Sequence, residues 1–176
     1  MKSGVELSNA AAIIEALGLV PHPKEGGYFR ETYRAAAALP AAALGGRYAG
    51  ARAVSTAIYY LLTPPTFSAL HRLASDEVFH FYAGDPVAQL RLHPDGRGEI
   101  VTIGNNLFAG MRPQAVVPSG VWQGARLAPG GRYALLGCTV APGFDYADYE
   151  SGSRAVLAAA YPEFAKEITT LTVDGG

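Results

Sequence analysis

Between Ser55 and Val140 the chain is cut into short β-prone runs by closely spaced turn signals. Ser55–Leu62 stops at Thr63-Pro64-Pro65, and Glu77–Tyr82 closes on Gly84-Asp85-Pro86. Val87–Leu92 ends at His93-Pro94-Asp95-Gly96, and Glu99–Ile103 ends at Gly104-Asn105-Asn106. Gln114–Val117 and Trp122–Leu127 flank Pro118-Ser119-Gly120, and Pro129-Gly130-Gly131 opens into Arg132–Val140. Such punctuation leaves no room for the helices of βαβ units and predicts an all-β sandwich or barrel. Twenty-one Gly and twelve Pro supply the turns, and ten Tyr with seven Phe suit strands. A chain of 176 residues fits one domain, here taken as residues 1–176, and can bury a core without disulfide staples.

The flanks read differently. Residues 8–18 form a helix with Ser8 or Asn9 as cap, an apolar face of Ile13, Ile14 and Leu17, and Gly18 as its stop. Pro21-His22-Pro23 imposes an extended turn before a strand at Tyr28–Arg34. Ala35–Gly50 has no period and reads as a connector holding one short turn. The barrel spans residues 26–142, and a helical tail follows at residues 153–166, interrupted by Pro162.

Composition excludes several functions. Fourteen basic residues against fifteen acidic ones leave a net charge of −1, with no basic cluster for a nucleic-acid backbone. No apolar stretch is long enough to span a membrane, and the start lacks a signal-peptide core, so a soluble cytoplasmic protein is expected. Cys138 is the single cysteine and sits in an apolar run, which predicts a buried thiol and no disulfide or zinc-finger framework.

Two strand-turn-strand segments carry the chemistry. Residues 65–84 hold His71, Glu77 and His80, and residues 110–127 hold Pro118, Gly120 and Gln123. The pair resembles the two motifs of the cupin superfamily, in which three histidines and a glutamate converge on a metal inside a small jelly-roll barrel. His71, Glu77, Gly84, Pro118 and Gly120 match, whereas Leu73 and Gln123 stand where histidines are expected and Leu127 where an asparagine is. If Glu77 points into the barrel, strand alternation sends Phe79 and Phe81 inward and His80 outward unless a bulge intervenes.

Longer strings are similar to the DUF985 family, also called cupin 5. They run from Pro21 to Tyr33, Ser68 to Leu73, Ser75 to Pro86, Val117 to Ala125 and Gly137 to Phe144. The resemblance implies a cupin double-stranded β-helix, or jelly-roll barrel, with short flanking N- and C-terminal helices. It also implies a homodimer with exchanged or paired N-terminal strands, and carries no settled activity. A divalent metal is optional in such folds, and its ligands here would be His71, Glu77, Gln123 and His80.

Relatives compared with this family include dTDP-sugar epimerases. Gly27–Tyr33 resembles their N-terminal strand, and Ala69-Leu70-His71 resembles the setting of their base histidine. The tyrosine acid of those enzymes has no match at Thr139-Val140, with Tyr146 and Tyr149 further along. The expected catalytic pair is His71 and Glu77, with ligand contacts from Arg30, Glu31, Tyr33, Tyr60, His80, Gln114 and Gln123. Alternation on the first strand puts Arg30 and Arg34 on one face and Glu31 and Tyr33 on the other. Asp145, Asp148 and Glu150 read as solvated loop carboxylates. These residues point to a small polar, carbohydrate-like ligand and an epimerase- or isomerase-type enzyme. The alternatives are a non-catalytic small-molecule binding protein and a metal-dependent oxygenase.

Overall fold

The computed structural model describes residues 10–173. The expected cap at Ser8 or Asn9 lies outside them. Helix α1 (Ala10–Leu17) is Ala-rich, buries Ile13, and ends where Gly18 turns into the left-handed region at φ 61°. Thirteen strands follow: β1 (Val20–Pro21), β2 (Tyr28–Arg34), β3 (Ala38–Leu39), β4 (Arg52–Ala53), β5 (Thr56–Leu62), β6 (Ser68–Leu73), β7 (Asp76–Gly84), β8 (Val87–Leu92), β9 (Gly98–Ile103), β10 (Gln114–Val117), β11 (Trp122–Leu127), β12 (Ala134–Ala141) and β13 (Tyr149–Ser151). Helices α2 (Arg154–Ala160) and α3 (Ala165–Thr170) close the chain.

Two antiparallel sheets face each other. One has six strands in the order β1-β2-β5-β12-β7-β10, and the other five in the order β13-β6-β11-β8-β9. From β5 onward the chain crosses repeatedly between the sheets, so residues distant in sequence share the interior. Among the described residues, no helix is long and apolar enough to cross a membrane.

Both sheets are also covered on their outer faces. Helix α1 packs Ile13 with Leu19, Leu61 and Tyr133 against the six-stranded sheet. Helices α2 and α3 place Leu157, Ile168 and Leu171 over Leu70, Leu90 and Leu92 of the five-stranded sheet. A strand buried on both faces reads as a continuous apolar run, which is why Tyr60-Leu61-Leu62 has no alternation.

Three segments depart from expectation. The connector at Ala35–Gly50 holds a 3-10 turn (Ala41–Leu44), but β3 also pairs with β4, which borders the connector, through Ala38 with Ala53 and Leu39 with Arg52. The tail runs past residue 166, because after Pro162–Phe164 forms one 3-10 turn the chain resumes as α3 and buries Ile168. The faces of β2 are not those of simple alternation. A bulge between Glu31 and Tyr33 shifts the register against β5, so Glu31 and Arg34 end on one side.

Candidate functional site

Three inward side chains share a rung of the five-stranded sheet. Gln123 of β11 lies opposite His71 of β6 on one side and Arg91 of β8 on the other. Across the interior, Glu77 of β7 lies opposite Val140 of β12. A cavity of about 310 Å³ opens between the sheets at this level. His22, Glu25, His71 and Glu77 form its polar part, Phe29, Ile58, Leu73, Val140 and Phe144 its apolar wall, and Glu31, Arg34, Thr56, Cys138, Asp145 and Tyr146 complete the lining. The size is at the small end for metabolite pockets.

His71 is 1% exposed, and its Nδ1 lies 2.7 Å from the Ala69 carbonyl oxygen. A carbonyl only accepts, so Nδ1 carries a proton, and in the neutral tautomer the lone pair sits on Nε2. That Nε2 is 3.9 Å from Glu25 Oε2. The Tyr149 ring stacks on the imidazole at 4.9 Å and 13°, which holds the ring plane.

Glu25 stands on the turn between β1 and β2, pressed against β6. Its Oε1 accepts the Ser68 hydroxyl at 2.5 Å, and its carbonyl accepts the Ala69 N–H at 2.8 Å. Gly26 makes this approach possible: its φ is 92°, and a Cβ there would collide with the Phe67 carbonyl. His22 supports the same turn, since its Nδ1 accepts the Glu25 N–H at 2.8 Å. Burial pulls the His22 pKa down, with the nearby His71 adding to the effect and Glu25 opposing it.

Glu77 is 7% exposed, and its Oε2 accepts from Gln123 Nε2 at 2.6 Å. Burial, reinforced by the Glu25 charge, pushes its carboxyl up to about 7, against the opposing pull of His71, Gln123 and the Cys138 thiol. The direction of the amide is fixed from a distance. Arg91 Nε donates to Gln89 Oε1 at 2.9 Å, and an arginine cannot accept. Gln89 must then donate through Nε2 to Gln123 Oε1 at 3.4 Å, which turns the Gln123 NH2 toward Glu77.

The mouth is built from β2 and the loop after β12. Arg34 makes a bidentate pair with Glu31, Nε to Oε1 at 3.0 Å and Nη2 to Oε2 at 2.7 Å, and also donates to the Phe144 carbonyl at 3.2 Å. Lys24 Nζ lies 5.3 Å from the Tyr146 ring centroid and 5.7 Å from that of Tyr149. Burial raises the Tyr149 phenol well above its usual range, so it stays protonated at neutral pH.

The sequence candidates are placed as follows. His71, Glu77 and Glu31 line the cavity, while Gln123 sits behind Glu77 as its hydrogen-bond donor. Tyr60 enters the interior fully buried and donates to the Gly26 carbonyl at 2.7 Å, bracing the turn and not lining the cavity. His80 is a correction. Alternation along β7 carries it to the outer face, with its Nε2 3.2 Å from the Thr139 hydroxyl and its ring stacked near Tyr82. Arg30 donates to the Leu17 carbonyl at 3.0 Å, beside α1, on the face opposite Glu31 as alternation requires, and Tyr33 is 55% exposed because the β2 bulge turns it from the cavity. Gln114, on edge strand β10, lines a separate cleft.

The acidic cluster is not simply solvated. Asp148 is buried in a bidentate pair with Arg52 at 2.6 and 2.7 Å, Glu150 pairs with Arg72 at 2.6 Å, and Asp145 accepts the Ala147 N–H at 2.8 Å. Cys138 is buried as expected, and it also borders the cavity beside Glu77. His22 and Glu25 were not singled out from the sequence. They lie within the family-like string Pro21–Tyr33, but on its turn, where no strand period assigns a side chain to a face.

The donor set does not match a cupin metal as it stands. Gln123 offers its NH2 to Glu77 and turns its oxygen to Gln89, Leu73 carries no donor, and His80 faces away. Among the described residues, no three His, Cys, Asp or Glu side chains form a metal-holding group.

A family model described as Cupin_5, cupin superfamily (DUF985), matches residues 11–152. An uncharacterised protein of Saccharomyces cerevisiae is 29% identical over 174 residues, covering 93% of this chain and 86% of that protein. A hypothetical protein from Leishmania major superposes with a TM-score of 0.83 at 35% identity, covering 94% of this chain and 99% of that one. A crystal structure of a Shewanella oneidensis protein gives 0.83 at 34% identity, over 94% of this chain and 98% of the other. Oxalate decarboxylase of Bacillus subtilis, a protein with Mn(II) centres, shares the fold alone, at a TM-score of 0.51 and 17% identity over 87% of this chain and 37% of that one.

Proposed function

The chain belongs to the Cupin_5 family of the cupin superfamily, DUF985, and on that footing we propose that its barrel cavity binds a small polar, carbohydrate-like or carbonyl metabolite and moves a proton on it, in the manner of an epimerase or isomerase. The observation that carries this reading is the contact of His71 Nδ1 with the Ala69 carbonyl, which in the neutral tautomer puts the lone pair on Nε2 beside the cavity. A neutral imidazole is the side chain best matched to proton abstraction near neutral pH. Glu77, with its carboxyl raised to about 7, holds or releases a proton at the same pH. Tyr146 lines the mouth and supplies a phenolic donor late in the chain. The apolar wall excludes water and receives the ligand's carbon skeleton. No step passes through a metal.

The test is a thermal-shift screen of sugars, sugar acids and keto acids against the wild-type chain and His71→Ala. Each hit is then incubated in D2O and followed by mass spectrometry. Incorporation of one deuterium by the wild type and none by His71→Ala is expected. Hits that bind but exchange nothing would replace this reading with a binding protein. The Gln123 amide at the usual histidine position favours that second reading.

Homodimerisation and a cytoplasmic location belong to the same proposal. Val20 and Tyr33, on strands β1 and β2 at the edge of the six-stranded sheet, are 53% and 55% exposed, as an edge that pairs with a second copy would be. Light scattering should give twice the 18.4 kDa chain mass.

A further inference from the structure

The rung that holds His71 and Gln123 continues to a charge the cavity does not use. Arg91 is 8% exposed and points inward from β8, opposite Gln123 of β11. Of its donors, Nε is spent on Gln89, while Nη2 is sealed from solvent and has no hydrogen-bond partner among the described residues. Nη1 is 3.9 Å from Glu99 Oε1, beyond hydrogen-bond range, and that same carboxylate oxygen lies nearer to His93, at 3.2 Å. Burial pulls the guanidinium down from its ordinary value, with Glu99 only partly offsetting it. A buried cation with open donors is destabilising unless something completes it.

A cleft lies alongside. The sandwich has a seam where β9, the last strand of one sheet, meets β10, the last strand of the other. The seam is closed by one bridge, Ile103 with Arg112, and widens beside it into a cleft of about 430 Å³. Arg91, Arg112, Thr102 and Gln114 supply its polar lining and Ile100 and Val116 part of its apolar rim; no carboxylate lines it, and the Glu99 carboxylate beside Arg91 Nη1 lies outside the lining. Arg112 is posed there by its own turn, donating through Nη1 to the Gly110 and Met111 carbonyls at 3.1 and 3.0 Å. The cleft shares no lining residue with the His71 cavity.

We propose that the β9–β10 seam is a second binding site, which takes the oxyanion of a small molecule, a carboxylate or a phosphate group, between Arg91 and Arg112. Two guanidinium groups lining one cleft, Arg91 from β8 and Arg112 from the turn before β10, suit charge-assisted capture of such a group, and Gln114 and Thr102 border the same cleft. The proposal stands independently of any chemistry at His71.

The test titrates inorganic phosphate, and separately acetate, into the full chain at constant ionic strength set with chloride. The arginine side-chain Nε–H signals are followed by NMR. A saturating, single-site shift at Arg91 with either anion supports the site, and the tighter arm identifies the phosphate or carboxylate source. Arg112→Gln, an exposed change that spares the fold, should weaken binding roughly tenfold, the scale of one charge-assisted hydrogen bond. Arg91→Met should abolish it, and if that variant fails to fold, Gln114→Ala gives the second reading with a smaller loss. Shifts that stay linear with both anions, or saturation unchanged by Arg112→Gln, would overturn the proposal.

Discussion

The two halves of the barrel interior are made by the same strands and treat their inward positions in opposite ways. On β5, Tyr60 and Leu62 are packed solid, while Thr56 and Ile58 border open space. On β7, Phe79 is core and Glu77 is cavity, one inward step apart. On β12, Ala134 and Leu136 belong to the filled half and Val140 to the hollow one, with Cys138 at the boundary, packed in the core and bordering the cavity. The filled half supplies rigidity and cohesion. The hollow half is where polar groups are held in fixed orientations by neighbours instead of by solvent. A site needs both, because a carboxylate and an imidazole keep such positions only when the strands carrying them cannot shift.

The sharpest way to break the comparison is to empty the filled half. Phe79→Ala should cost about 3–5 kcal/mol in urea unfolding, with the cooperative transition displaced. If that loss were near zero, the two halves would not differ as described. Next in size is His71→Ala on the hollow side. It leaves the Ala69 carbonyl without its donor and should cost about 1–3 kcal/mol. Its larger consequence is the loss of the thermal shift that a cavity ligand gives the wild type, a combination Phe79→Ala should not reproduce.

A third prediction turns on pH. The folded Glu77 carboxyl sits near about 7, above the roughly 4.3 of an unfolded glutamate, so the folded state binds the proton more tightly between these values. The stability contribution is therefore fully present below the unfolded pKa and is lost as pH rises through about 7. Glu77→Gln should raise the urea midpoint at about pH 8 and leave it little changed at about pH 4. Equal effects at both pH values would mean that Glu77 is not held in its uncharged form by burial. The smallest effect is expected at the mouth. Arg34→Ala removes an exposed ion pair with Glu31 and should change stability by under about 1 kcal/mol, while weakening ligand affinity severalfold through release of the Phe144 loop.

Most strands were legible in the sequence because turn chemistry is local. Val87–Leu92, Gln114–Val117 and Trp122–Leu127 begin and end as the Gly and Pro signals beside them require. The candidate site was legible in part. His71 and Glu77 fall in recognisable strings, and alternation alone sends His80 outward. Glu25 and His22 were hidden because they sit on a turn, where no period says which way a side chain points. Tyr33 and Arg34 were assigned to the wrong faces because a bulge has no reliable sequence signature and yet changes which residues share a face, whereas Arg30 lies opposite Glu31 by alternation alone. Asp148 looked solvated because its partner, Arg52, lies far away in the chain.

What the sequence determined by itself was the β architecture, most of the strands of the two large sheets, the presence of helices at either end, and the segments from which a site would be drawn. All of these follow from short-range sterics and from the spacing of apolar residues. Tertiary structure alone decided that one half of the interior stays open, that Glu25 joins His71 there, and that an arginine on β8 orients the amide facing Glu77. Those outcomes depend on the register between strands and on volumes summed across two sheets. No residue carries that information until its neighbours from the other hairpins are in place.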